Sequence, residues 1–185
     1  PKNAGLKSLP ISMLAHGAGV NKKHCYSTIH NAVAEAKKGG GAIGFDINAH
    51  GMELSQPQSY YDDLYKGELD RYSQRPVESH KDFYFRLMYL RLVRALDYLT
   101  TLPQWDGERV LIHGSSQGGG QAGALAGIDS RVTAALLQVP ALTDIGGKLD
   151  NGRRGGWPKP YAAKANEAVY MDLLPYYDVA LLLSM

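Results

Sequence analysis

The chain carries one cysteine, Cys25, in 185 residues. A lone thiol forms neither an internal disulfide framework nor a cysteine-based zinc site, so the fold must rest on packing. Neither sign of charge dominates: 20 Lys and Arg stand against 18 Asp and Glu, a formal net charge of +2. The basic doublets Lys22-Lys23, Lys37-Lys38 and Arg153-Arg154 are spread along the chain and read as solvated surface. Without a basic stripe there is no electrostatic footprint for nucleic acid, and no such partner is expected. No run is long and apolar enough to cross a bilayer, so no membrane span is expected. No leader pattern is visible at the amino terminus, which opens on Pro1. At this length one hydrophobic core is expected, and a second full domain is not.

The informative residues are concentrated around 109–126. The apolar run Val110-Leu111-Ile112-His113 ends in Gly114-Ser115-Ser116-Gln117-Gly118, and small residues continue through Gln121-Ala122-Gly123-Ala124-Leu125-Ala126. That is strand, sharp turn and helix with a serine at the apex, the context a G-x-S-x-G elbow requires. The apex serine takes strained backbone and crowds its neighbours two positions away; Gly114 and Gly118 carry no side chain to clash there. Ser115 fails as the apex, because Gln117 would then occupy a position that must stay small. Ser116 is therefore the candidate catalytic nucleophile.

Two other readings compete. One is a glycine-rich turn without chemistry. The other is a dinucleotide fingerprint, since Gly118, Gly120 and Gly123 also spell G-x-G-x-x-G after a strand. That fingerprint expects an acidic residue at the end of the next strand. The next strand, read over 132–139, ends without one, and no Gly-Lys-Ser/Thr follows the glycines.

Residues 8–15 read as a first strand entering His16-Gly17-Ala18-Gly19, and 24–38 as a helix with Ile29, Val33 and Ala36 on one face. Residues 42–48 form a second, short apolar strand. The stretch 51–81 is polar, tyrosine-rich and weakly periodic, and long enough as a connection to be lid-like. Its Tyr60, Tyr61, Tyr65 and Tyr72 suit either a carbohydrate-facing surface or packing against the body, and packing is favoured. Residues 83–102 give the clearest helix, with Leu87, Leu90, Val93 or Arg94, Leu96 and Leu99 at helical spacing and Pro103 beyond. Residues 110–113 and 132–139 supply the third and fourth strands. After Pro140 the order weakens: 166–174 is a candidate helix, and 179–183 reads as an interrupted strand. Strands alternating with helices predict an α/β fold, a mostly parallel sheet with helices on both faces. Ligands in such sheets bind beyond the carboxyl ends of the strands, where His16, His50 and Ser116 all fall.

An activated serine needs a base, an acid to orient it, and donors for the oxyanion. The donors are expected from the backbone amide of Gln117 and from the first loop, at Ala18. The base is missing: His16, His24, His30, His50, His80 and His113 all precede Ser116, whereas the fold's order is serine, then acid, then histidine. Asp144 follows the fourth strand and reads as a structural or surface residue. The simplest expectation is a larger domain whose remaining strands carry acid and base. His50 as a substitute base, or His16, His50 and His113 converging on a metal, are the departures from it. No cofactor is called for.

The early His-Gly loop, Asp46-Ile47-Asn48-Ala49-His50-Gly51, the run from Tyr84 to Leu96 and Gly114-Ser115-Ser116-Gln117-Gly118-Gly119 together resemble the acetyl xylan esterase and cephalosporin C deacetylase family. The likeness runs from about Leu9 to Val139. It implies the central part of an α/β-hydrolase, with residues 1–185 a single incomplete domain lacking amino-terminal strands and the later acid and histidine strands. It implies a serine esterase that removes acetyl groups from carbohydrates, with Ser116 as nucleophile. Its ligand would be a small ester, in practice an acetylated sugar, and a homo-oligomer stays open. The chain departs from the family at Ser115, where the motif has glycine. Asn48-Ala49-His50 replaces Arg-Gly-Gln, and Ala18 replaces a tyrosine. A non-catalytic, hydrolase-like carbohydrate-binding or interaction domain is the alternative from another class.

Overall fold

A computed structural model describes residues 8–21, 41–147, 155–159 and 167–185. The helix expected over 24–38, with His24, Cys25 and His30, lies outside the described residues. Four strands, β1 (Leu9–Ala15), β2 (Ile43–Ile47), β3 (Trp105–Ser115) and β4 (Ala134–Gln138), form one sheet in the order β2-β1-β3-β4. All three pairings are parallel, with Ala15 opposite both Ile47 and Gly114, and Gly114 opposite Leu137. The chain leaves β1 toward one side of the sheet and leaves β3 toward the other. Loops that diverge from two neighbouring strands open a crevice between them. That crevice lies above β1 and β3.

The helices are α1 (Gln58–Lys66), α2 (Tyr84–Leu99), α3 (Gln117–Ile128), α4 (Glu167–Tyr177) and α5 (Val179–Leu182). In α2 the buried residues are Phe85, Met88, Tyr89, Leu92, Leu96 and Leu99, a three-and-four spacing that lays one stripe against the protein. This stripe corrects the expected one: Leu87 and Leu90 point outward, 45% and 44% exposed. Several apolar residues occur on both sides of this helix, so spacing alone does not select the face. Thr100 ends the helix, its hydroxyl donating to the Leu96 carbonyl. Leu92, Leu96 and Leu99 meet Ile11, Met13, Val110, Ile112, Ala122 and Leu125 in one core cluster on a single face of the sheet. Truncating a fully buried leucine there, such as Leu92→Ala, costs about 2–5 kcal/mol.

Elsewhere the structure moves boundaries. β3 begins five residues before Val110, because Trp105 pairs with Leu9 ahead of an irregular 106–109. The stretch 51–81 is no structureless connection: it holds α1 and a 3-10 turn at Tyr72–Gln74. Its weak pattern follows from α1 burying a single residue, Tyr61. The run 179–183, expected as a strand, is the helix α5 followed by its cap. Asp178 decides this, accepting the Ala180 amide as N-cap and the amides of Asp144 and Ile145 from the loop after β4. A second core cluster joins the 51–81 stretch to α2, α4 and α5 through Tyr61, Leu69, Tyr72, Phe85, Leu142, Tyr170 and Leu182.

Candidate active site

Ser116 stands between the last residue of β3 and the first of α3, with φ 57° and ψ −121°. An L-residue holds this conformation only where its surroundings impose it. Here its amide donates to the Gln138 carbonyl at 2.9 Å, and its own carbonyl accepts from Gly120 and Ala141. The turn is tight because two glycines let three backbones meet. A Cβ on Gly118 would lie 2.7 Å from the Ala15 carbonyl carbon and 2.8 Å from the His16 carbonyl oxygen. One on Gly114 would strike the backbone of Gly118 and, at 2.7 Å, the Ala15 oxygen. The Ser116 side chain is exposed, and no described residue hydrogen-bonds its hydroxyl.

The first loop abuts this elbow. A Cβ on Gly17 would sit 3.5 Å from the Ser115 carbonyl, and the Gln121 amide reaches the His16 carbonyl at 3.4 Å. Ala18 is exposed at the loop's crest, while Gln117 is wholly buried as the first residue of α3. Opening amides of a helix have no intrahelical acceptor. Neither the Ala18 nor the Gln117 amide donates to another described residue. The two backbone donors expected from the sequence thus belong to neighbouring loops at the crevice above β1 and β3.

Two histidines, His16 and His50, stand in the loops that follow β1 and β2. The Ala49 amide donates to His16 Nε2 at 3.0 Å, which leaves the proton on Nδ1 to donate to the Gly17 carbonyl at 2.7 Å. His16 therefore ties the loop after β1 to the loop after β2. His50 Nδ1 lies 2.8 Å from the Tyr84 hydroxyl, and the His50 ring meets Tyr72 edge-on at 4.5 Å. Asn48 shapes this turn, its Oδ1 accepting the His50 amide, and Arg91 holds the Ala49 carbonyl at 2.8 Å. The rings of His16 and His50 are 5.9 Å apart. His113 is inside β3, next to the inward-facing Ile112, and so faces the opposite side of the sheet. Burial holds the His113 imidazole below its usual range, with Asp46 pulling the other way. The structure does not bring the three histidines together, and no group of metal-ligand side chains occurs among the described residues.

An elbow serine between such a pair of loops, on a parallel sheet, can be compared with known proteins. The acetyl xylan esterase family model matches residues 6–150. This chain belongs to that family. An acetyl esterase, Axe7A of Xylanibacter ruminicola, is 35% identical over 186 aligned positions, covering 97% of this chain and 40% of the relative. Among solved structures, the acetyl xylan esterase from Paenibacillus sp. R4 superposes with TM-score 0.50 at 25% identity, over 96% of this chain and 53% of its own. Acetyl xylan esterase 1 from Thermoanaerobacterium sp. JW/SL YS485 gives TM-score 0.58 at 19% identity, over 95% and 56%. The chain thus spans 40% of the curated relative and little more than half of the solved ones. The sheet and its helices have the α/β-hydrolase fold expected from the sequence.

Residues that the sequence pattern does not single out also meet here. Tyr72 reads from the sequence as a packing or surface tyrosine, yet its hydroxyl donates to Gln117 Oε1 at 2.6 Å in a buried contact. Tyr84 and Gln121 carry no sequence signal of their own. The cluster of tyrosines in 51–84 is the available hint, and spacing does not say which of them turn inward.

Proposed function

We propose that the full-length protein is a serine esterase that deacetylates carbohydrates through an acyl-enzyme. Ser116 Oγ attacks the acetyl carbonyl carbon while its proton passes to a base. The carbonyl oxygen becomes an oxyanion, held by the Ala18 and Gln117 amides. Collapse of the tetrahedral species expels the sugar oxygen, which takes the proton, and leaves acetyl on Ser116. Water then attacks that ester, releases acetate and restores the hydroxyl. Nothing in this sequence of steps calls for a cofactor. The base and its orienting acid are assigned to parts of the full-length protein beyond these residues, because no histidine follows Ser116 and the relatives are about twice as long.

The observation that carries this reading is the exposed Ser116 in strained backbone, beside the amides of Ala18 and Gln117, which donate to no other described residue. Acetylated substrates are supported by the names of the relatives, which are acetyl and acetyl xylan esterases. Ser116→Ala in the full-length protein should abolish turnover of a chromogenic acetyl ester with the fold intact. Retained turnover would remove the esterase reading. Slow or absent labelling of the wild type by a fluorophosphonate would favour a binding domain that kept the elbow without its chemistry.

A further inference from the structure

The loop offered for the oxyanion has little of its own to hold it. Ala18 is exposed and flanked by Gly17 and Gly19, the latter at φ 125°. One end is tied down by His16, as described above. The other meets Tyr72, which lies 45 residues before Gln117 in the chain. Tyr72 is 7% exposed, its ring wedged between His50 at 4.5 Å and Tyr84 at 5.0 Å. Its O–H donates to Gln117 Oε1 at 2.6 Å, and the same oxygen takes the backbone N–H of Gly19. Val20, the next residue, is buried in the cluster that contains Tyr72, Tyr61 and Met52. Burial pushes the Tyr72 hydroxyl up to about 12, so at neutral pH it keeps its proton and remains a donor.

We propose that Tyr72 is a positioning residue for the oxyanion hole, one phenol fixing the spacing between the Ala18 loop and the Gln117 elbow. The proposal rests on the esterase reading and extends it: the 51–83 segment sets the separation of the two donors. Oxyanion donors act at 2.7–3.1 Å from an atom that acquires charge only in the transition state. A shift of about 1 Å in one of them costs on the order of 100-fold in rate while leaving ground-state binding alone.

The test uses the full-length protein and compares Tyr72→Phe, Gln117→Met and the double variant, with the exposed Tyr65→Phe as control. Tyr72→Phe keeps the ring packing and deletes the strut. We expect kcat to fall roughly 10- to 100-fold with KM within about twofold. Affinity for a trifluoromethyl ketone, which forms a tetrahedral adduct on serine, should fall in parallel. Gln117→Met should reproduce the loss, and the double variant should be no worse than either single change, since the link from Gly19 through Tyr72 to Gln117 fails when either of its two bonds is broken. Tyr65→Phe should change nothing. The proposal is overturned if Tyr72→Phe keeps kcat within twofold, if KM rises in place of the fall in kcat, or if the two losses multiply. Should Tyr72→Phe fail to fold, Gln117→Met with unchanged kcat overturns it equally. Those outcomes leave a wild type that turns over and a dead Ser116→Ala, so the esterase reading survives them. A wild type without turnover or fluorophosphonate labelling defeats both.

Discussion

Replacing Gly118 by alanine tests whether the elbow and the first loop are built against each other. The added methyl would sit 2.7 Å from the Ala15 carbonyl carbon and 2.8 Å from the His16 oxygen, and nearer still to the Ala15 oxygen. Each of these is backbone, so no side chain can swing aside. Contacts shorter than 3.0 Å require something to shift, and the movable units are the end of β1 and the start of α3. Moving them apart by about 1 Å strains the pairing of Ala15 with Gly114. Overpacking costs about 1–3 kcal/mol, and each ladder hydrogen bond weakened adds about 1 kcal/mol. With two such bonds weakened the sum is about 3–5 kcal/mol, a large fraction of the roughly 5–15 kcal/mol typical of a folded protein. Chemical denaturation of the full-length protein, following the transition of this domain, measures it. Gly107→Ala is the control. There φ is +84° and no atom lies within 4 Å of where the methyl would stand, so only the conformational cost of about 1 kcal/mol applies. Equal and small effects at the two glycines would refute the close packing, and with it the placement of the Ala18 loop against Ser116.

The remaining predictions concern strain, capping and charge. Ser116→Gly should be more stable than Ser116→Ala by about 1 kcal/mol, because glycine tolerates φ 57° and ψ −121° and neither variant keeps the hydroxyl; thermal unfolding in the reverse order would mean the turn is unstrained. Asp178→Ala removes the acceptor of three backbone amides, two of them in the loop after β4, and should cost about 2–4 kcal/mol, checked by urea unfolding against a neighbouring surface substitution. Asp129 is held below the usual carboxylate range, chiefly by its hydrogen bond from Arg131, which also reaches Asp97 at 2.8 Å. A lowered folded value means the pair stabilises the protein above the ordinary Asp range and loses that contribution as pH falls through the lowered value. Asp129→Asn should therefore cost about 0.5–1 kcal/mol at pH 7 and little near pH 2, and a deficit that persists in acid would contradict the pairing. A protein of residues 1–185 alone should hydrolyse no acetyl ester, whereas robust turnover by it would point to His50 or another resident base.

The local pattern determined a good deal. Glycines at 114 and 118 around a serine, after an apolar run and before small residues, define a turn that few backbones other than an elbow can satisfy. The alternation of apolar runs with helical periods likewise specified a parallel α/β sheet, because short buried strands and crossover helices leave that signature. The sequence also showed that no histidine follows Ser116 within these 185 residues. Tertiary structure decided what depends on contacts distant along the chain. Which stripe of α2 faced inward was undetermined by an apolar pattern that ran over both sides, and only the sheet beneath selected Leu92 over Leu90. The run 179–183 has strand composition, yet Asp178 recruits amides from 33 and 34 residues away and turns it into a helix. Tyr72 was one tyrosine among several until folding laid its hydroxyl between Gly19 and Gln117. Periodicity reports which residues avoid water, whereas the partner of a polar group is chosen by whatever the rest of the chain brings within about 3 Å of it.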